Sequence, residues 1–479
     1  MNNSTMNLGG HFVSSAQKIS ANQTFDVAVI GAGIVGCALA RRFTLDGASV
    51  VVLEKAVDVL DGASKGNSAI LHTGFDAPEG SLELACVREG YRLYLDIHEK
   101  LGLPLIRSGA LVLAWNEAQA AELPKLMDQA RANGVDDIEP LDRAGLLALE
   151  PELSPHVVAG FRVPGESLID PWSAAHGYLL QALQNGAHLM RSTEVLSGRR
   201  VDGAWLLETS QCTVRARLVI NAAGLYGDIV DRRVTGENWF TVKPRKGQFV
   251  VYDKPAAALA GHILLPVPTK ITKGIVVCRT AFGNLLVGPT AEEQEDRAHA
   301  VLDRETMQAL VRKAEEILPA LADHDVTAIY AGLRPATEEK EYRIRADLAD
   351  DYICVGGIRS TGLTAALGIA AHVARLANRE WTPIADPVWA QMPALSDEAR
   401  RDWCQPGNGG IVCHCEMVTR REIEAALSGP LAASSMGGLK RRSRVTMGRC
   451  QGFYCSADLA RITEGKLAQP MLAGGSDDA

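Results

Sequence analysis

The clearest pattern early in the chain is an apolar run, a glycine turn and an apolar segment with helical spacing. Residues 25–30 (Phe-Asp-Val-Ala-Val-Ile) predict a short strand. Gly31-Ala32-Gly33-Ile34-Val35-Gly36 follows, residues 37–44 read as helix, and residues 48–53 predict a second strand ending at Glu54. Together they form a βαβ unit. Further on, residues 218–224 (Leu-Val-Ile-Asn-Ala-Ala-Gly) predict a buried strand ending in a small-residue turn. Residues 243–252, 275–279 and 284–287 predict strands of an antiparallel sheet, separated by Gly and Pro turns. Residues 352–356 predict another buried strand, and 361–378 an Ala-rich helix.

Punctuation divides the chain. Residues 1–24 are polar, with neither a signal-peptide core nor an Arg-rich transit pattern, and are expected to be a mobile leader. Pro383, Pro387, Pro393 and Pro406, with Trp389 and Trp403 between them, mark a junction. The expected division is a large α/β region over 25–387, a linker over 388–410, a cysteine module over 411–465 and a Gly-rich tail over 466–479.

Composition narrows the field. The 479 residues suffice for several domains, and 47% hydrophobic with 22% charged residues is ordinary for a globular protein. A net charge of −8 argues against nucleic acid as a partner. No apolar run reaches transmembrane length: the 362–377 stretch carries His372 and Arg375. The expected home is the cytoplasm, with peripheral attachment to a membrane's inner face through a partner as the variant. The ten cysteines are too sparse for a disulfide scaffold; Cys37, Cys86, Cys212, Cys278, Cys354 and Cys404 are scattered, most of them in apolar surroundings that predict buried thiols.

The glycine loop carries a specific chemistry. Gly31 permits the tight turn, Gly33 lets the backbone approach a pyrophosphate, and Gly36 lets helix and strand pack closely. The helix N-terminus offers N–H groups to phosphates. Glu54, at the end of the second strand, is placed to accept hydrogen bonds from an adenosine ribose. FAD and NAD both fit this fingerprint. Only one copy is present, and a flavin can accept two electrons and release them singly, so FAD is favoured.

The other chemistry is near the C-terminus: Cys413-His414-Cys415, then Cys450-Gln451-Gly452-Phe453-Tyr454-Cys455. Close thiol pairs suit a soft centre, an iron–sulfur cluster or zinc. His414 lies between two ligands and is not counted among them. Lys440, Arg441, Arg442, Arg444 and Arg449 can offset thiolate charge; the run is short and lacks the interleaved aromatics of a nucleic-acid surface. Thr419-Arg420-Arg421-Glu422 is a capping-box pattern opening a helix, and residues 456–462 predict another.

The segment 62–74 is small-residue and Gly-punctuated, with Ser64, Asn67 and Ser68 before His72, and can lie against a flat cofactor. Read with Asn221-Ala222-Ala223-Gly224, Gly332-Leu333-Arg334-Pro335 and Gly357-Ile358-Arg359-Ser360-Thr361-Gly362-Leu363-Thr364, it resembles the D-amino-acid-oxidase-like superfamily of FAD enzymes. The glycerol-3-phosphate and L-2-hydroxyglutarate dehydrogenase branches are the most similar. The resemblance implies an α/β fold: a Rossmann-type FAD-binding domain interleaved with an antiparallel-sheet substrate domain. It further implies that Ala223 and Gly224 lie along the FAD, that the backbone of Val195 meets the adenine, and that Gly357, Thr361, Gly362, Leu363 and Thr364 form a helix start facing the flavin. Under it His72 is the base for a hydroxyl proton, Arg334 the anion clamp and Arg359 a second anion-binding group, with Lys246 also on the substrate side. Two departures stand out: Ala69 where the hydroxyglutarate branch carries glycine, and Thr73-Gly74 where the glycerol-3-phosphate branch carries two glycines.

The cysteine spacing, with Gly448-Arg449-Cys450-Gln451-Gly452, resembles the bacterioferritin-associated-ferredoxin-like [2Fe–2S] domain, a small helical module ligated here by Cys413, Cys415, Cys450 and Cys455, with zinc as the rival occupant. The combined expectation is a dehydrogenase oxidising a secondary alcohol of a small anionic substrate, glycerol 3-phosphate or an L-2-hydroxy acid. Electrons would pass through the cluster to an acceptor protein or quinone-linked subunit. Oxidation of a C–N bond in an amine or amino acid is the alternative, and a non-enzymatic redox or iron sensor is a third reading.

Overall fold

The computed structural model describes residues 23–268, 274–469 and 471. The expected leader, apart from its last two residues, and most of the expected tail lie outside them.

The first strand, Thr24–Ile30, is the centre of an eight-stranded sheet. It pairs in parallel with Val50–Leu53 on one side and Thr213–Asn221 on the other. His188–Met190 and Tyr352–Gly356 extend the parallel layer outward. The Val50–Leu53 strand is buried at every position, as expected of a parallel strand covered on both faces. The helices Ile34–Leu45, Leu82–Ile97, Pro171–Gln184 and Gly362–Ala377 supply much of one large apolar core. Gly36 is where helix and strand meet: a Cβ there would lie 1.9 Å from the carbonyl oxygen of Gly31. The strand predicted over 218–224 begins earlier, at Thr213, and stops at Asn221, so Ala223 and Gly224 belong to the turn.

The second, nine-stranded sheet is built from interleaved segments, including Ala110–Ala114, Ala159–Val163, Arg245–Tyr252, Val276–Arg279, Leu285–Gly288 and Val326–Arg334. Among the described residues it is antiparallel with one exception. Ile263–Pro266 runs parallel to Ala110–Ala114. These strands come from distant parts of the chain, so no hairpin fixes their direction.

The C-terminal module pairs Ile411–Cys413 with Val418–Thr419 and adds three short helices, Arg420–Ala426, Met436–Ser443 and Ser456–Thr463. The capping box at Thr419 and Glu422 forms as the sequence predicts. Val412, Val418, Ile423, Leu439, Val445, Leu459 and Ile462 make a separate small core. The proline-rich junction is not a free tether. Ala390, Leu395 and Arg401 in it are buried, and Met392 N–H donates to the carbonyl of Leu101.

A buried ion pair ties the module to the first domain: Arg442 Nη2 lies 2.7 Å from Asp58 Oδ1, with both side chains almost fully enclosed. Asp58 also accepts from Ser434 N–H, and Arg441 donates to the carbonyl of Val59.

Candidate functional site

A cavity of about 680 Å³ opens from the glycine loop and runs between the two sheets. That is a volume suited to a cofactor-sized ligand. Gly31 and Gly33 form one wall with Glu54. Gly31 has φ +102°, and a Cβ on it would lie 2.7 Å from the carbonyl oxygen of Ala222, so both turn geometry and space demand glycine. Glu54 bridges the loop: Oε2 accepts from Ala32 N–H at 2.7 Å and Oε1 from Ala56 N–H at 2.9 Å. Burial pushes its carboxyl up, and those two N–H groups oppose the shift. Val195, Ala223 and Gly224 continue the wall.

Ser64, Asn67 and Ser68 line the same space. Ser64 Oγ accepts from Ile34 N–H at 3.0 Å, which fixes this segment to the start of the first helix. Asn67 Oδ1 accepts from Ala69 N–H, and Ala69 itself sits at φ +63°. The position that departs from glycine is thus one whose backbone favours glycine.

Cationic side chains also face this space. Arg334, Arg359, Gly357, Gly362 and Leu363 all line it. Arg334 is held rigidly: Nη2 donates to the carbonyl of Lys246 at 3.0 Å and to that of Thr290, and Nε donates to that of Arg245. Nη1 makes no hydrogen bond among the described residues. Burial, with repulsion from Arg245 and Arg359, pushes the Arg334 guanidinium down to about 10, which leaves it charged at neutral pH. Arg359 is less constrained, with one long hydrogen bond to the carbonyl of Lys340.

Four expectations shift in detail. Gly36, Thr361 and Thr364 stand behind the cavity wall. Thr361 Oγ1 is tied to Tyr342 and to Glu83, and Thr364 Oγ1 accepts from His72 N–H at 3.0 Å. Their contribution is to shape the wall. Lys246 is not among the lining residues; its Nζ is 3.0 Å from Glu292 Oε2 and bonded to the carbonyl of lining residue Val301.

His72 lies four residues beyond the last lining residue of its segment and is pinned to the Gly362–Ala377 helix through Thr364. Its Nδ1 is 2.9 Å from Oε2 of Glu166, a carboxylate with no exposed surface. The other oxygen of Glu166 accepts from Thr73 N–H at 2.6 Å and Thr73 Oγ1 at 2.8 Å. A Glu166 carboxylate accepting from Nδ1–H leaves the Nε2 lone pair of His72 free. Sequence reasoning missed Glu166, because 93 residues separate it from Thr73 and 94 from His72. Its one local signal is an acid between the Pro164-Gly165 turn and the buried Ser167–Ile169 strand. Arg297, another lining residue, was also missed; it is held by an ion pair to Asp228.

In the module, no group of three or more ligand-type side chains is preassembled for a metal among the described residues. The thiols nevertheless interact in pairs, Cys415 with Cys450 and Cys413 with Cys455. Backbone N–H groups of Tyr454, then Gly452 and Phe453, point at Cys450 and pull its thiol down, and burial pushes that of Cys455 up. Gly448 leaves room for the approach, since a Cβ there would lie 2.4 Å from Cβ of Cys415. Converging thiols with amide donors suit a soft, anionic centre.

Comparison with known proteins agrees with this geometry. Residues 26–376 match the family described as FAD dependent oxidoreductase. The chain belongs to this family. Residues 411–464 match the BFD-like [2Fe-2S] binding domain, which decides between cluster and zinc in favour of the cluster. The glycerol 3-phosphate dehydrogenase of Caloramator mitchellensis is 31% identical over 93% of this chain and 95% of its own. One subunit of the anaerobic glycerol-3-phosphate dehydrogenase of Escherichia coli K12 is 23% identical over 93% of this chain and 89% of its own. Among solved structures, the FAD-bound L-alpha-glycerophosphate oxidase of Mycoplasma pneumoniae superposes with TM-score 0.73 at 30% identity, covering 78% of this chain and 99% of that one. Among the described residues no helix is long and apolar enough to cross a membrane.

Proposed function

We propose that this FAD-dependent oxidoreductase oxidises the secondary alcohol of glycerol 3-phosphate and delivers the electrons to its [2Fe–2S] module. The observation that carries the reading is the His72–Glu166 pair, joined through Thr364 to the Gly362–Ala377 helix, whose start lines a cavity that Arg334 and Arg359 also line. The Caloramator relative, similar across both the oxidoreductase region and the cysteine module, supports the phosphate ester over a hydroxy acid.

FAD bound in the cavity supplies a two-electron acceptor for the hydride of the alcohol carbon. Arg334, already oriented by three backbone carbonyls, offers Nη1 to the anionic group. Arg359 adds a second positive charge. His72 Nε2 takes the hydroxyl proton, and Glu166 fixes the tautomer and steadies the imidazolium that results. Gly31, Glu54 and Ser64 hold the dinucleotide end, and the start of the Gly362–Ala377 helix directs its positive end to the reactive end of the cavity. The final acceptor is a partner protein or quinone-linked subunit, so the enzyme works in the cytoplasm or at a membrane's inner face. The Escherichia coli relative is one chain of a larger enzyme, which supports a partner chain here.

The test is an anaerobic visible spectrum recorded while glycerol 3-phosphate, L-2-hydroxyglutarate and amino acids are added separately. Bleaching of the flavin band by glycerol 3-phosphate alone is expected. Bleaching only by an amine would move the enzyme to C–N oxidation.

A further inference from the structure

Between the cavity and the cysteine module lies an unbroken line of contacts that neither substrate binding nor the module's own core accounts for. It starts at Lys65, a cavity-lining residue whose carbonyl accepts from Trp172 Nε1 at 3.2 Å. The indole of Trp172, next to lining residue Pro171, stacks on Phe282 with ring centroids 5.7 Å apart and planes within 12°. The guanidinium of Arg444 covers the Phe282 ring at 3.8 Å. Arg444 Nε then donates to Glu416 Oε2 at 2.9 Å, and Glu416 follows cluster ligand Cys415 in the chain.

Three features mark this line as built. Arg444 and Glu416 are both buried, and burying a charged pair is costly unless its geometry is held. Arg444 occupies a left-handed conformation, φ +68°, as the cap of the Met436–Ser443 helix, a position that usually favours glycine. Phe282 sits in the turn between two strands of the second sheet, Val276–Arg279 and Leu285–Gly288, so elements from all three parts of the protein converge there.

We infer that Trp172, Phe282 and Arg444 form the electron path from the flavin to the cluster. This rests on the reading of the module as the flavin's electron acceptor. Oxidation of the alcohol deposits two electrons, and a [2Fe–2S] centre takes one at a time, so two successive single-electron transfers cross this line per turnover, the first electron leaving to the external acceptor before the second arrives. Tunnelling falls steeply with every gap through empty space, and here each link is a ring contact, a cation over a ring, or a hydrogen bond. Arg444 has a second effect: its positive charge offsets that of Glu416, the buried carboxylate next to cluster ligand Cys415, which would otherwise disfavour the more negative, reduced cluster.

The experiment avoids dependence on any substrate. Holoprotein is photoreduced with a deazaflavin in a short light pulse, and flavin absorbance and the electron paramagnetic resonance signal of the reduced cluster are followed together. Trp172→Leu and Phe282→Leu, each checked for full FAD and iron content, are expected to slow the appearance of the cluster signal by about tenfold or more. Trp172→Phe, which keeps the stack, is expected to retain most of the rate. Arg444→Gln is expected to lower the cluster's midpoint potential, read by redox titration; the Trp172 and Phe282 variants leave it unmoved. Cluster reduction at the unmodified rate in both leucine variants would overturn the path. Failure of glycerol 3-phosphate to bleach the flavin would overturn only the substrate assignment, because the pulse bypasses it.

Discussion

His72 Nδ1 and Glu166 Oε2 stand 2.9 Å apart, and the same carboxylate also receives the N–H and hydroxyl of Thr73. One buried acid therefore sets both the ring orientation and the backbone that presents it. Glu166→Gln should keep the fold but disturb the tautomer, lowering the rate of flavin reduction by glycerol 3-phosphate on the order of 10²–10⁴-fold. The Kd for substrate should change little. Stopped-flow flavin bleaching separates the two, and a variant that lost affinity but kept its limiting rate would remove Glu166 from the proton-transfer machinery.

Arg334 is expected to act on binding. Arg334→Leu should raise the Kd for glycerol 3-phosphate by roughly 10–100-fold, the worth of a charged hydrogen-bonded contact. The sign with pH follows from its lowered guanidinium value of about 10. The cation is present at neutral pH and is lost as pH rises through that value, so substrate affinity should hold through neutral pH and weaken towards pH 10. An affinity that weakened only on acidification would contradict this role.

Two backbone positions give opposite expectations. Gly31→Ala places a Cβ against the carbonyl of Ala222 in a left-handed turn, and FAD content should fall sharply on purification. Ala69→Gly relieves a residue held at φ +63° and should raise stability by up to about 1 kcal/mol. Urea denaturation of the FAD-loaded protein reads the second effect, and a destabilised glycine variant would show that the methyl packs more usefully than the strain costs.

Asp58→Ala leaves Arg442 buried without its carboxylate and removes the acceptor of Ser434 N–H. A loss of about 3–5 kcal/mol is expected for breaking such a pair. It should appear as early protease cleavage near the junction, ahead of unfolding of the FAD domain. Cleavage at the unmodified rate would show that other contacts hold the module.

The sequence by itself determined the parts whose physics is local. The glycine loop with Glu54, the strands at 25–30 and 352–356, the Ala-rich helix, the capping box at Thr419 and the two cysteine pairs all depend on neighbours a few residues away, so spacing and residue type expose them. Cofactors followed from those parts, and the family from the short motifs at 62–74, 221–224, 332–335 and 357–364 that carry the resemblance. Tertiary structure decided what depends on distant chain segments meeting. Glu166 meets His72 across 94 residues, and Ile263–Pro266 pairs in parallel with Ala110–Ala114. Arg334 is oriented by carbonyls of another strand and loop, and Trp172, Phe282 and Arg444 align only because three parts of the protein pack at one point. No periodicity encodes such encounters; they arise from the shared burial of two sheets and a module whose cores close together.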